Sequence, residues 1–459
     1  MAVSCFCLQI QLYLSCLSAI MFLFLAVRCE AFDPLDPNGN ITIKWDIMSW
    51  TTDGYIALVT LINYQSYRHI EAPGWTLGWH WAKNEVIWEM SGAQAAMQGD
   101  CSKFEGPIPH CCKRDPVIVD LLPDAPYNLQ MANCCKGGVL TSFAQDHQNS
   151  IASFQVTVGL SGNSNTTVHL PRNYTLGLPG PGYTCDPAKA VSSSLFPTPD
   201  GRRHTQALMT WNVTCKYSQF LAQRAPSCCV SFSSFYNDTI IPCQTCACNC
   251  KYNITQPTEK VRPMSCVDPK DALAVSTRYV TGYSTGLTSQ TPEVYCTQDM
   301  CPVKVHWHVK ANYYNYWRAK ITIINRSLLK NFTQWNLEIQ HPNLNNLTTA
   351  FSFLYKGVSS YNLINDTGMF WGIKFYNDML LTAGPNGYVQ SEVLFKKDPT
   401  MFSFKQGWAF PHRVYFNGDD CVLPPPDAYP WMPNKGTARN AMSAFMTAAV
   451  AIAYIANML

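Results

Sequence analysis

The sequence predicts an all-β protein, two β-sandwich-like modules flanking a disulfide-rich central segment, on three observations. Two hairpin-like stretches alternate apolar and polar residues and resemble each other at a fixed spacing. Helical periodicity is weak outside the termini, and eight cysteines crowd between Cys215 and Cys266. Composition agrees with a packed chain: 47% of the 459 residues are hydrophobic and 14% charged, with a net charge of +3, the reverse of the balance disorder requires. No run of Lys and Arg supplies the footprint that nucleic acid demands, so no nucleic-acid partner is expected. Aromatics, at 13%, nearly equal the charges and point to an uncharged partner.

At the N-terminus, residues 8–27 are apolar and give way to Arg28, Cys29, Glu30 and Ala31, a secretory-signal pattern that assigns residues 1–31 to a cleaved signal peptide. At the other end, nineteen mostly apolar residues, 441–459, close the sequence without a polar flank. A small residue, a polar spacer and a terminal apolar tail form a glycosylphosphatidylinositol signal, with Asn434 as the attachment site and 435–459 as the removed propeptide. Ten Asn-x-Ser/Thr sequons agree with export: Asn40, Asn165, Asn173, Asn212, Asn237, Asn253, Asn325, Asn331, Asn346 and Asn365.

The first module is expected over residues 32–170. Ile41, Ile43, Trp45 and Ile47 alternate with polar residues, Asp53-Gly54 turns the chain, and Tyr55, Ala57, Val59 and Leu61 alternate again. A shift of 262 residues gives Val303, Val305, Trp307 and Val309, then Trp317, Ala319, Ile321 and Ile323, and it conserves Trp45/Trp307, Thr60/Thr322 and Asn63/Asn325 as identities. The second module therefore spans 296–421.

Between them, the Pro/Gly/Ser-rich residues 171–210 read as a linker and 211–295 as a cysteine-rich segment. Pro424, Pro425 and Pro426 open a stiff stalk over 422–434. Four of the 21 cysteines fall in the signal, leaving 17, so at least one thiol has no internal partner. The adjacent pairs Cys111-Cys112, Cys134-Cys135 and Cys228-Cys229 are each expected to reach two separate partners rather than to bridge internally. In an exported chain the run Cys243-x-x-Cys246-x-Cys248-x-Cys250 reads as disulfides rather than a metal site.

Six of the thirteen tryptophans, Trp45, Trp50, Trp75, Trp79, Trp81 and Trp88, lie within 44 residues. On a strand, Trp75, Trp79 and Trp81 share one face, and such a row can either fill a sandwich core or stack on the apolar C–H faces of sugar rings. The carbohydrate-binding candidates are therefore Trp45, Trp50, Tyr55, Trp75, Trp79, Trp81 and Trp88. His306 and His308 share a face without a third ligand placed by spacing, and no metal or cofactor is expected. Asp46, Asp53, Glu85 and Glu89 are the carboxylates near the cluster, but no nucleophile, zinc or phosphate motif accompanies them and no catalytic residue is assigned.

Several motifs resemble the plant COBRA-like proteins: residues 33–46, Ala72-Pro73-Gly74-Trp75, Gly99-Asp100-Cys101-Ser102-Lys103-Phe104, Pro109-His110-Cys111-Cys112, Cys228-Cys229-Val230-Ser231 and Arg413-Val414-Tyr415-Phe416-Asn417-Gly418. The resemblance covers essentially the whole mature chain. It implies a non-enzymatic protein anchored at the outer leaflet of the plasma membrane and in the cell wall. It further implies an N-terminal cellulose-binding module acting on cellulose, a β-1,4-glucan, in its deposition and microfibril organisation beside the cellulose synthase complex, and a central Cys-Cys-Val-Ser domain. The competing readings are a wall-polysaccharide hydrolase or transglycosylase and a protein-binding scaffold without glucan affinity.

Overall fold

The computed structural model describes residues 33–177, 182–197, 201–222, 227–243, 302–326, 331–332, 334–358, 366–381, 387–397, 404, 408–430 and 432. The signal peptide, Asn434 with its propeptide, Asn253, Asn365 and the cysteines from Cys246 to Cys301 lie outside the described residues. Strands dominate what is described, and they form two sandwiches.

The expected hairpin forms from Ile41–Trp50 and Tyr55–Asn63, antiparallel with Trp45 opposite Val59. Its repeat forms from Val303–Asn312 and Tyr316–Asn325, with Trp307 opposite Ile321. The likeness extends to a defect. Each first strand carries a register shift at the same place, between Ile47 and Ser49 in one and between Val309 and Ala311 in the other. A bulge bends a strand and sharpens its twist, so both hairpins curl over their cores at the same residue.

In the first module the hairpin lies inside a seven-stranded sheet, between Met209–Tyr217 on one side and Ile151–Gly159 followed by Val86–Ser91 on the other. A four-stranded sheet of Ala93–Ala95, Val117–Asp120, Thr76–His80 and Arg172–Gly177 covers its inner face. The linker expectation is thereby corrected, because Arg172–Gly177, Tyr183–Cys185 and Lys189–Val191 all pair within these sheets. Trp211 and Val213 belong to the core of the first module, not to a separate cysteine-rich segment.

In the second module Cys228–Ser234 runs parallel to Val303–Asn312 and extends the six-stranded sheet, so the Cys-Cys-Val-Ser motif is a strand of this sandwich. Its opposing five-stranded sheet is built on Asn336–Gln340, flanked by Thr367–Gly372 and Arg413–Phe416. The proline-rich stalk is also corrected. Val422 exchanges backbone hydrogen bonds with Cys228 and Val230, Tyr429 packs edge-on to Phe232 at 4.9 Å, and Met432 is buried in the core. Apolar side chains between the prolines hold this segment on the module instead of leaving it as a spacer.

Five disulfides staple the described chain: Cys101–Cys112, Cys134–Cys135, Cys185–Cys215, Cys228–Cys421 and Cys229–Cys243. Cys228 and Cys229 reach separate partners as expected, whereas Cys134 and Cys135 bridge each other, which corrects the reading for that pair. Cys112 reaches Cys101, but Cys111 is a buried free thiol among the described residues, so the reading of two separate partners is corrected for that pair as well.

The modules join through a polar lock around residues 64–71. Arg68, nearly buried, donates to Asp33 at 3.1 Å, to Asp419 and to the Gly418 carbonyl of the second module, with its guanidinium 3.8 Å above the Tyr217 ring. Asn336 of the second module donates to the Tyr67 carbonyl, and Leu35, Tyr67, Met369 and Tyr415 form a small apolar cluster beside them.

Candidate functional site

Of the seven aromatic candidates, five are core. Trp45, Tyr55, Trp75, Trp79 and Trp81 are each at most 2% exposed. The strand Thr76–His80 belongs to the covering sheet, so its odd-numbered face meets the seven-stranded sheet instead of solvent. Trp45 is the hub of the resulting cluster, stacked on Trp211 at 5.3 Å and edge-on to Trp79 at 5.2 Å, while Trp75 stacks on Phe154 at 6.0 Å. Edge-to-face and offset geometries of this kind are how indoles fill an interior. Buried rings offer no face to a polymer, and the expectation that these five bind carbohydrate is corrected.

Trp50 and Trp88 differ, for both remain partly exposed. Their positions follow from the two irregularities of the sheet. Trp50 ends the first strand beyond its bulge, opposite Tyr55 and edge-on to that ring at 6.4 Å. Trp88 falls in a second register shift, between Ile87 and Glu89, which releases its side chain from the alternation of the strand. Its indole crosses Gly159, where an added Cβ would come within 1.9 Å of Nε1, and its N–H donates to Asp53 Oδ2 at 3.3 Å. Because Trp50, Tyr55, Val158 and Ile87 align across four neighbouring strands, the two indoles lie at one end of the sheet with the Asp53 turn joining them.

A third ring completes this end. Phe104 stands edge-on to Trp88 at 5.4 Å on the loop closed by Cys101–Cys112, and Ile108 of the same loop is exposed. Period-two reading missed Phe104 because it sits in a loop; the flanking cysteines were the available signal, since a stapled loop can present a ring at a fixed position.

Three of the four carboxylates near the cluster have structural partners, and the fourth, Glu89, is exposed. Asp46 is buried and accepts from the Thr210 hydroxyl at 2.6 Å, Asp53 holds Trp88, and Glu85 accepts from the Lys83 backbone N–H at 2.6 Å. Two perturbed groups lie elsewhere, at the junction of the modules. Burial drives the Glu338 carboxyl well above its usual range, and burial holds His69 down at about 4. His69 Nδ1 accepts from the Ser142 backbone N–H at 2.9 Å, which leaves the proton of the neutral ring on Nε2, 2.9 Å from Asn336 Nδ2.

His306 and His308 do share a face, with rings 6.4 Å apart. They bind hydroxyls. Ser231 contacts His306 Nδ1 at 2.6 Å, and Ser233 bridges His306 Nε2 at 2.8 Å and His308 Nδ1 at 2.7 Å. Among the described residues no group of three or more His, Cys, Asp or Glu side chains could hold a metal.

The sequons also divide. Asn165, Asn173 and Asn331 are exposed, and Asn40, Asn212 and Asn346 are partly exposed, although Asn212 Oδ1 is buried. The side chain of Asn237 is not described. Asn325 is fully buried and its amide donates to the Leu380 carbonyl at 3.4 Å, so the expectation of a glycan there is corrected. Its counterpart in the repeat, Asn63, is buried likewise and donates to the Arg68 and Thr141 carbonyls.

The fold and site define a two-module, disulfide-stapled all-β protein with aromatic rings partly exposed at one end of its first sandwich. The COBRA N-terminal domain matches residues 55–218 and the COBRA family C-terminal domain residues 227–430, a division that falls between the two sandwiches. The chain is 63% identical to COBRA-like protein 1 of Oryza sativa subsp. japonica, over 89% of each chain. It is 60% identical to Protein COBRA of Arabidopsis thaliana, over 89% of this chain and 88% of that one. The chain belongs to the COBRA family. A solved exo-β-N-acetylglucosaminidase from Vibrio harveyi aligns with 27% of the chain at 11% identity and a TM-score of 0.20, too low to indicate a shared fold.

Proposed function

We propose that this chain is an extracellular, non-enzymatic glucan-binding protein, held at the outer leaflet of the plasma membrane by a glycosylphosphatidylinositol anchor on Asn434. Its role is in cellulose deposition, microfibril assembly and orientation, and oriented plant cell expansion, by guiding cellulose synthase complexes or their nascent glucan. One observation supports the glucan contact most directly: Trp50 and Trp88, partly exposed, flank the Asp53 turn at one end of the sheet, with Phe104 edge-on to Trp88. Rings held in this way are pre-organised to stack on the apolar faces of glucose units, so little side-chain entropy is lost on contact. The hydrolase reading has less support, because Asp46, Asp53 and Glu85 already serve hydrogen bonds within the fold.

The test is retention of the secreted protein on crystalline cellulose. Trp50→Ala together with Trp88→Ala removes retention while the thermal transition stays near that of the parent. Full retention by this double variant, with the fold intact, would overturn the assignment of the site.

A further inference from the structure

Four strands of the six-stranded sheet in the second module carry an outward face whose charge is nearly all of one sign. On Val303–Asn312 the residues facing away from the core are Lys304, His306, His308 and Lys310, and across the pairing Lys320 stands opposite His308. On the four strands Cys228–Ser234, Val303–Asn312, Tyr316–Asn325 and Tyr388–Lys396, the one acid is Glu392, which takes Lys310 and Arg318. Lys320 stands directly opposite Glu392 in the strand pairing, so this single carboxylate sits among the cations Lys304, Lys310, Arg318 and Lys320 of these strands. Burial holds His306 down at about 4, with Lys304, His308 and Lys320 pushing in the same direction, so the positive charge of this face is carried by its lysines and Arg318 rather than by the imidazole.

The face is also linear. From Lys304 to Lys310 the strand advances about 20 Å, placing a cationic or imidazole group every ~7 Å along one line. Hydroxyls run beside that line, with Ser231 and Ser233 bonded to the imidazoles and Thr322 opposite His306. At the turn that ends the strand pair, Tyr314 is 95% exposed and Tyr316 37%. Cations for carboxylates, the partly exposed Thr322 hydroxyl for a sugar hydroxyl and tyrosine rings for sugar faces occur together on this strand pair, while Ser231 and Ser233 are buried and only hold the imidazoles.

We propose that this face binds a linear carboxylate-bearing polysaccharide, a polyuronide. The inference rests on the extracellular placement of the chain proposed above, but it uses a different module and different residues from the glucan site. It gives the protein two polymer contacts of opposite character, one neutral at the end of the first sandwich and one anionic on the sheet of the second. A polyanion contact of this kind is weakened by salt, because exposed charges are screened and condensed counterions are no longer released.

The experiment is affinity electrophoresis of the secreted full chain through gels containing polygalacturonate, with phosphatidylserine vesicles and crystalline cellulose as separate arms. Polygalacturonate should retard the chain, ~0.5 M salt should abolish the effect, and Lys320→Gln with His308→Gln should weaken it roughly tenfold. The double variant should melt with the parent and keep its retention on cellulose, which separates failure of this proposal from failure of the glucan site. Absence of retardation, equal retardation of the folded double variant, or capture by anionic vesicles without retardation by polygalacturonate would each overturn it.

Discussion

The Trp88 indole donates its N–H to Asp53 Oδ2 across 3.3 Å, tying a bulged strand to the turn of the neighbouring hairpin. The same carboxylate oxygen receives the Leu160 backbone N–H at 3.4 Å, so one turn residue fixes both the ring and the strand end beneath it. Trp88 is therefore oriented before any ligand arrives.

Gly159 is the space that orientation requires. An added Cβ would sit 1.9 Å from Trp88 Nε1 and 2.8 Å from Asp53 Oδ2. Gly159→Val should expel the indole and lower retention on cellulose as far as Trp88→Ala does. Retention at the level of the parent would show that the orientation of this ring is immaterial.

Core and surface tryptophans should separate in a stability measurement. Trp45→Ala removes the hub of a fully buried cluster and should cost about 3–5 kcal/mol by chemical denaturation. Trp50→Ala, at a partly exposed position, should cost well under half of that. A comparable loss at both positions would contradict the division between core and site.

Arg68 locks the modules, with Asp33 on its own side and Asp419 on the other. Removing a buried partner strands the remaining charges, so Arg68→Met should destabilise the protein by on the order of 3 kcal/mol. It should also split a single melting transition into two. One unbroken transition at the parental temperature would show that the lock is dispensable.

Two buried groups at the same junction respond to pH with opposite sign. The His69 pKa is lowered on folding, so below its ordinary value near 6.5 the unfolded chain binds a proton that the folded chain refuses until about 4. Its contribution is present above about 6.5 and is lost as pH falls to about 4. Glu338 has the opposite sign, since its raised pKa keeps the folded carboxyl protonated and costs stability as pH rises above 4.5. Glu338→Gln should therefore raise the melting temperature at pH 7 more than at pH 4, and an equal change at both would refute the assignment.

Glycopeptide mapping of the secreted protein should find glycan on exposed Asn165 and Asn331 and none on Asn325. A glycan on Asn325 in folded protein would mean that this strand end is open.

Alternation of apolar residues determined the two hairpins, because a strand with one buried face must place side chains in period two, and the repeat located the second from the first. The Asn63/Asn325 identity already carried a structural message, for the same buried amide closes both strands, although the sequon at Asn325 read as a modification site. What period two cannot express is which side of a sheet is covered. Trp79 and Trp81 would look the same in sequence on an open face, and only the seven-stranded sheet packed over them made them core. Charge was hidden similarly: Lys304, Lys310 and Lys320 form no run along the chain, yet the pleat and the pairing gather them on one face. The Arg68–Asp419 contact joins residues 351 apart, and no local pattern marks it. Local chemistry thus wrote the strands into the sequence, whereas exposure, charge clustering and the join between modules depend on which distant surfaces exclude water from one another, and only the tertiary structure decided them.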